Sequence, residues 1–369
     1  MRRRMLFVLV WLLFLFLLLE GAGFAFYTLE ISKPISDYGY PAGLIVAHPQ
    51  LGYGYQPNFS GHFKGSAYQD IPIEINAQGF RDRDFAAQPS DGVRIAVLGD
   101  SVVFGAGVRQ EDRFTECLDS ADEAGQKGRR LLNLGVNSYT FGHYLALARQ
   151  GFLGTDPDAV LVGITLNDFA SMDDNGPARR AQRYATEWHK PDWVARMQER
   201  IGRTYAVRFL REIRTRFTYA MLNTDEREAY HTKWMRTVVA GWQSDANRQR
   251  FETGLDAFST LLKGRDIPFG FILFPELNAL RNPSEFDAPR RLVRELLDQR
   301  GLRYCDPYDD FARQSDLDAL FLARDGIHYS PKGHQVLCRS LDHCLDSLEL
   351  TGRLGGKTPN QRARVPDSE

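Results

Sequence analysis

The chain has 369 residues, 43% hydrophobic and 25% charged, enough to bury a full core and leave room for additions around one large domain. Its 46 Lys and Arg against 47 Asp and Glu give a formal net charge of -1, so there is no global basic field to hold nucleic acid. The arginine-rich stretches are interleaved with acids, and nucleic acid is set aside as a partner.

The N-terminus differs from the rest. Arg2-Arg3-Arg4 precede an apolar run from Met5 to Leu19, then Glu20 and a mostly apolar stretch to Tyr27. Positive charge on the cytoplasmic side directs such a segment into a membrane and exports the remainder of the chain. Residues 1–27 are expected to be an uncleaved single-pass anchor in the cytoplasmic membrane, with the bulk of the chain on the periplasmic side. The alternative is a cleaved signal, with Gly23 and Ala25 at the cut and a secreted product. Export would put Cys117, Cys305, Cys338 and Cys344 in an oxidising space. Four cysteines in so large a chain are not a scaffold, and buried free thiols are the default expectation. Cys338 and Cys344 fall on different faces of one predicted helix and should not bond to each other.

Residues 28–90 are rich in Gly, Pro, Tyr and Asn with short alternating runs such as Ile71 to Ile75, a strand-and-turn extension between membrane and core. After Asp91-Gly92 the pattern becomes strands alternating with helices. Val93 to Leu98 is a short apolar run, Phe114 to Ala124 a helix, Arg130 to Leu134 a strand, Gly142 to Gln150 a helix and Ala159 to Ile164 a strand. The alternation stops over about 170–263, an Arg-, Trp- and Tyr-rich helical insertion. It resumes with Pro268 to Phe274, a helix at Leu292 to Arg300, a fifth strand over Gly301 to Asp306 and a closing helix at Gly333 to Leu348. This predicts an α/β doubly wound five-stranded parallel sheet over residues 91–350, interrupted between strands three and four. Residues 351–369 are expected to be a disordered tail.

In an open parallel sheet, residues just beyond the carboxyl ends of the strands line the ligand crevice. Strand one ends in Gly99-Asp100-Ser101, strand two in Asn133-Leu134-Gly135 and strand three in Thr165-Leu166-Asn167-Asp168, and Asp325 and His328 come after strand five. A serine hydroxyl needs an adjacent base to become a nucleophile, and His328 is the candidate. The imidazole in turn needs an orienting carboxylate, which Asp325 supplies three residues earlier. Attack on an ester carbonyl develops an oxyanion. The backbone N–H groups of Ser101 and Gly135 and the side-chain amide of Asn167 are the expected donors.

These residues resemble the motif blocks of the SGNH, or GDSL-type, hydrolases. Ser101, Gly135, Asn167 and His328 stand in the family's order, Asp325 matches the acid of its Asp-x-x-His block, and Gly105 fits Gly-Asp-Ser-x-x-x-Gly. The resemblance covers about residues 94–348 without the insertion, and implies a flavodoxin-like sheet and ester chemistry through an acyl-enzyme on Ser101. Two positions depart: Val102 stands where leucine often follows the serine, and Thr165 where glycine often precedes the asparagine by two. The segment Asn76 to Asp82 also resembles extensions of anchored bacterial SGNH proteins, some similar to envelope polysaccharide O-acetyltransferases.

A lone Gly-Asp-Ser is more often a turn, Asn167-Asp168 alone a helix cap, and Gly135 alone a turn residue. Asp100, next to the nucleophile, is expected to be structural, and His334 a surface or capping residue of the last helix. Gly99 to Gly107 lacks dinucleotide-binding spacing, and the phosphate-loop likeness at Gly352 to Thr358 is one residue short and follows no strand. No metal and no organic cofactor are expected. Trp188, Trp193, Trp234 and Trp242 of the insertion form a lid over the crevice, line a sugar site or, the plainer reading, belong to the apolar stripe of a helical hairpin.

The expected function is therefore an O-acyl or acetyl esterase acting on an ester-bearing small molecule or envelope glycan. The alternatives are an envelope-polysaccharide O-acyltransferase sharing the same first half-reaction and a non-catalytic glycan-binding module.

Overall fold

A computed structural model describes residues 2–28, 41, 43–63, 71–85, 93–125, 129–172, 204–221, 224–322, 326–348 and 350. Asp325, Trp188, Trp193, the phosphate-loop likeness and the tail 351–369 lie outside the described residues.

The first element is helix α1, Arg2–Thr28. Its stretch Arg3–Phe26 is long and apolar enough to cross a membrane, about 36 Å at 1.5 Å per residue, and its most apolar part is not buried in the protein. Two antiparallel hairpins come next, β1 (Ile45–His48) with β2 (Gly52–Tyr55), and β3 (Ser60–Phe63) with β4 (Ile71–Glu74). Their alternating side chains put Tyr53, Tyr55, Phe63, Ile71 and Ile73 into the same apolar cluster as the central sheet. The extension is thus fused to the core by shared burial.

The central sheet contains β5 (Val93–Gly99), β6 (Arg129–Gly135), β7 (Ala159–Ile164), β8 (Phe269–Leu273) and β9 (Tyr304–Cys305), all parallel, in the order β6-β5-β7-β8-β9. β5 and β7 are buried over nearly their whole length, so their runs are continuously apolar rather than alternating. The order turns back at β5, leaving the crevice of a doubly wound sheet at the carboxyl ends of β5 and β7. At that edge the chain leaves β5 through the one-turn helix α2 (Ser101–Phe104). One face of the sheet carries α3 (Phe114–Gly125) and the closing helix, and the other carries α4 (Phe141–Arg149), giving two apolar clusters separated by the sheet.

Between β7 and β8 the described part of the insertion is helical: α5 (Tyr205–Ala220), α6 (Thr224–Gln243) and α7 (Asp245–Gly264). Phe251 and Phe258 of α7 meet Phe141 of α4 edge-on, so α7 is the crossover helix that covers the sheet. Trp242 is buried and Trp234 packs on the same cluster, in keeping with the plainer reading of these two tryptophans. After β8 come α8 (Ala288–Gln299), the two-residue strand β9 and α9 (Pro331–Ser347). Strand β9 is shorter than the expected Gly301 to Asp306, because only Phe271 and Ile272 of β8 find partners across this edge.

The cysteines correct the expectation of free thiols. Cys117 of α3 bonds to Cys338 of α9, and Cys305 of β9 bonds to Cys344 of α9. Spacing had separated Cys338 from Cys344, and each turns to a different element. The partners were not legible because they are 221 and 39 positions apart. Helix α9 is thereby stapled on both sides. Breaking one bridge by Cys338→Ala or Cys344→Ala is expected to cost about 2–4 kcal/mol, read as a lower urea midpoint with an unchanged slope.

Candidate active site

Asp100 comes directly after β5 and caps α2, accepting Val102 N–H at 2.9 Å. Ser101 is therefore the first residue of a helix, where an N–H has no acceptor within the helix. Two glycines let α2 settle on the strand ends. A Cβ at Gly99 would lie 2.2 Å from Val103 Cγ2, and one at Gly135 would lie 2.3 Å from Phe104 N. Gly105 then ends α2 in the left-handed region at φ 74°.

Buried polar groups fix the turn from below. Arg81, fully buried, donates to the carbonyls of Gly105 at 2.8 Å and Val108 at 2.9 Å. Asn133 of β6 donates to Val103 O at 2.7 Å, and its own N–H is held by Asp82 at 2.8 Å. The Arg81-Asp82 pair in the extension thus acts as a buttress for the serine turn. Burial pushes the Asp82 carboxyl up to about 6 and the Arg81 guanidinium down to about 9.

His328 arrives from the other end of the chain on the loop before α9. Its carbonyl accepts Leu322 N–H at 2.8 Å, Tyr329 donates to Pro275 O at 2.6 Å, and Ser330 caps α9 through Gly333 N–H at 3.2 Å. So held, His328 Nε2 lies 2.8 Å from Ser101 Oγ, and the imidazole is largely buried. This is the distance at which a base takes a hydroxyl proton.

Asn167 stands half-buried beyond β7. Its Oδ1 accepts from the Thr165 hydroxyl at 2.7 Å, so Nδ2 is the donor that the amide has to offer. The same hydroxyl is 2.9 Å from Asp100 Oδ2. One proton cannot serve two acceptors. Burial raises the Asp100 carboxyl, and the Thr165 hydroxyl stands between that acid and the Asn167 amide oxygen. Thr165, the departure from the family pattern, therefore links the acid beside the serine to the amide. Asp168 closes the loop by accepting Thr165 N–H and the Tyr144 hydroxyl, both at 3.0 Å, and Trp242 Nε1 holds Leu166 O at 2.7 Å. The tie from the insertion to this loop was not foreseen, since nothing in the spacing pairs Trp242 with Leu166.

The N–H of Gly135 donates to Asn133 Oδ1 at 3.0 Å, and the absence of a side chain at Gly135 serves the packing of α2. One expectation changes. His334 is buried, not a surface residue: it stacks on Phe114 and takes Phe114 N–H on Nδ1 at 3.3 Å. Among the described residues no group of His, Cys, Asp and Glu is arranged to hold a metal.

A parallel doubly wound sheet with a serine and a histidine in contact at its carboxyl edge defines an enzyme of the SGNH esterase type. Residues 97–336 match the model of the GDSL-like lipase/acylhydrolase family, and the chain belongs to that family. No curated protein matches it. Similar solved structures include TesA, at 12% identity and TM-score 0.41 over 69% of this chain and 99% of that one. Others are the acetylxylan esterase Axe2 of Geobacillus stearothermophilus, at 17% and 0.39 over 71% and 96%, and the esterase EstA of Pseudoalteromonas sp., at 13% and 0.38 over 69% and 97%.

Gly135→Ala is expected to push α2 off its strand ends, costing about 1–3 kcal/mol. The same change should lower ester turnover even where the fold is intact, checked by thermal melts alongside rates. The buried His334 ring is lowered from 6.5 to about 3 by desolvation, so the unfolded chain takes its proton first on acidification. Its contribution is full above pH 6.5 and is lost as pH falls toward 3, by about 1.4 kcal/mol per unit. Asp82 and Asp119, raised to about 6 and about 7 by burial, act with the opposite sign. Comparing His334→Gln with the parent isolates the histidine: denaturant midpoints should fall less steeply with acid in the variant.

Proposed function

We propose that this enzyme cleaves O-acyl or acetyl esters through an acyl-enzyme on Ser101, and that the 2.8 Å approach of His328 Nε2 to Ser101 Oγ is the observation that carries the reading. His328 removes the hydroxyl proton as Ser101 Oγ bonds to the ester carbonyl carbon, and returns it to the departing alcohol. Water, deprotonated by the same imidazole, then releases the acid. The oxyanion is received by the N–H of Ser101 and by Asn167 Nδ2. Asp325 is assigned as the carboxylate that orients His328, from its position three residues earlier.

Two features support an extracytoplasmic site. Arg2, Arg3 and Arg4 precede the span of α1, and positive charge favours the inner side. Two disulfides belong to oxidising compartments. Substrates of this reading are acylated small molecules or envelope glycans.

Ser101→Ala is expected to abolish cleavage of an activated short-chain ester by the full chain, and full activity in that variant would refute the mechanism. Asn167→Ala should lower kcat by about 10²- to 10³-fold. Thr165→Val, which keeps shape and removes the hydroxyl, should lower kcat by about tenfold with little change in KM, while Thr165→Ser restores it. In the Asn167→Ala background the Thr165→Val change should cost nothing further, since both act on one donor.

A further inference from the structure

Helix α5 has an apolar face that stands exposed among the described residues. Leu210, Ile213 and Phe217, with Met221 just past the helix end, at spacings of three and four, are 48%, 45%, 66% and 70% exposed. Arg214, also exposed, flanks this face. No part of the esterase mechanism uses it.

Its place relative to α1 says what covers it. Glu20, the one charged residue between Met5 and Phe26, accepts the first two N–H groups of α5, from Tyr205 at 3.0 Å and Ala206 at 2.8 Å. A bare carboxylate inside an apolar span is costly, and two helix-terminal donors offset that cost locally. A Cβ at Gly23 would lie 2.5 Å from Tyr205 O and 3.1 Å from Phe209 Cβ. Tyr205 and Phe209, one turn apart, both close on this one glycine, so the start of α5 packs tightly on the end of α1. Phe24 meets Tyr205 and Phe26 meets Phe209 edge-on. The contact occupies the last two turns of the span, from Glu20 to Phe26. A helix packed there lies at the membrane boundary, where apolar side chains rest on acyl chains and an arginine reaches phosphate.

We propose that α5 is a second membrane-contacting element, lying in the outer interface of the bilayer with Leu210, Ile213, Phe217 and Met221 against lipid. The inference rests on the reading of α1 as an uncleaved anchor. It fixes the catalytic domain to the membrane surface at two points, α1 and α5.

The test uses the full chain in phospholipid vesicles. The four native cysteines are paired, so Leu210→Cys, Ile213→Cys or Phe217→Cys gives a single thiol for an environment-sensitive fluorophore. Asp245→Cys, at a side chain 91% exposed, is the aqueous reference. Blue-shifted emission at the three α5 sites, lost when the lipid carries a nitroxide near its headgroup, with no such loss at Asp245→Cys, is the expected result. Labels that behave like the reference overturn the proposal. If the chain then resists alkaline carbonate extraction, the anchor stands and only α5 has been misplaced; if carbonate releases it, the anchor falls as well. A blue shift that lipid-borne nitroxide leaves unquenched also overturns it, and assigns the face to a second copy of the chain.

Discussion

The contact between Ser101 and His328 joins residues 227 positions apart, and most of the architecture can be understood as the means of bringing them to 2.8 Å. Neither residue sits on a long regular element. Ser101 begins a single helical turn, and His328 lies in a loop just before α9. Single turns and loops do not hold position to a fraction of an ångström unaided, so the precision must come from the elements they are packed on and tied to.

On the serine side the support is close backbone packing. Glycines at Gly99 and Gly135 bring α2 down onto β5 and β6, and the buried Arg81, Asp82 and Asn133 take up the polar groups that this approach strips of water. On the histidine side the support is covalent as well as polar. Helix α9, which continues from the histidine loop, is bonded to α3 through Cys117 and to β9 through Cys305. Between the two, the loop after β7 joins Asp100, Thr165 and Asn167 in one chain of hydrogen bonds, and Trp242 pins that loop from the insertion. Each support is supplied by a different part of the sequence, which is why the extension and the insertion both pack into the core.

The strands β5, β7 and β8 were legible because burial leaves short, mostly apolar runs, and β6 because its leucines are broken only by Asn133, a pattern local to each segment. Ser101, Asn167 and His328 were legible for a related reason: chemistry at strand ends follows from the order of strands. The features that stayed hidden depend on contacts across the fold. The contact of Gly135 N–H with the Asn133 side chain is not visible in the spacing, and His334 is buried by Phe114 and Tyr329 rather than by anything in its own helix. Thr165 read as a departure from a motif, and only its distances to Asp100 and Asn167 give it a role. Likewise the carboxylate of Glu20 looked like an interruption of an apolar run until α5 supplied its partners.

The central claim is that His328 activates Ser101, and it is tested most directly by the mass of the protein after rapid quenching from an activated ester. The account predicts a single acyl group, located on the peptide that carries Ser101, formed by the parent chain and not by His328→Ala. Acylation at another residue, or undiminished acylation of Ser101 in His328→Ala, would contradict it.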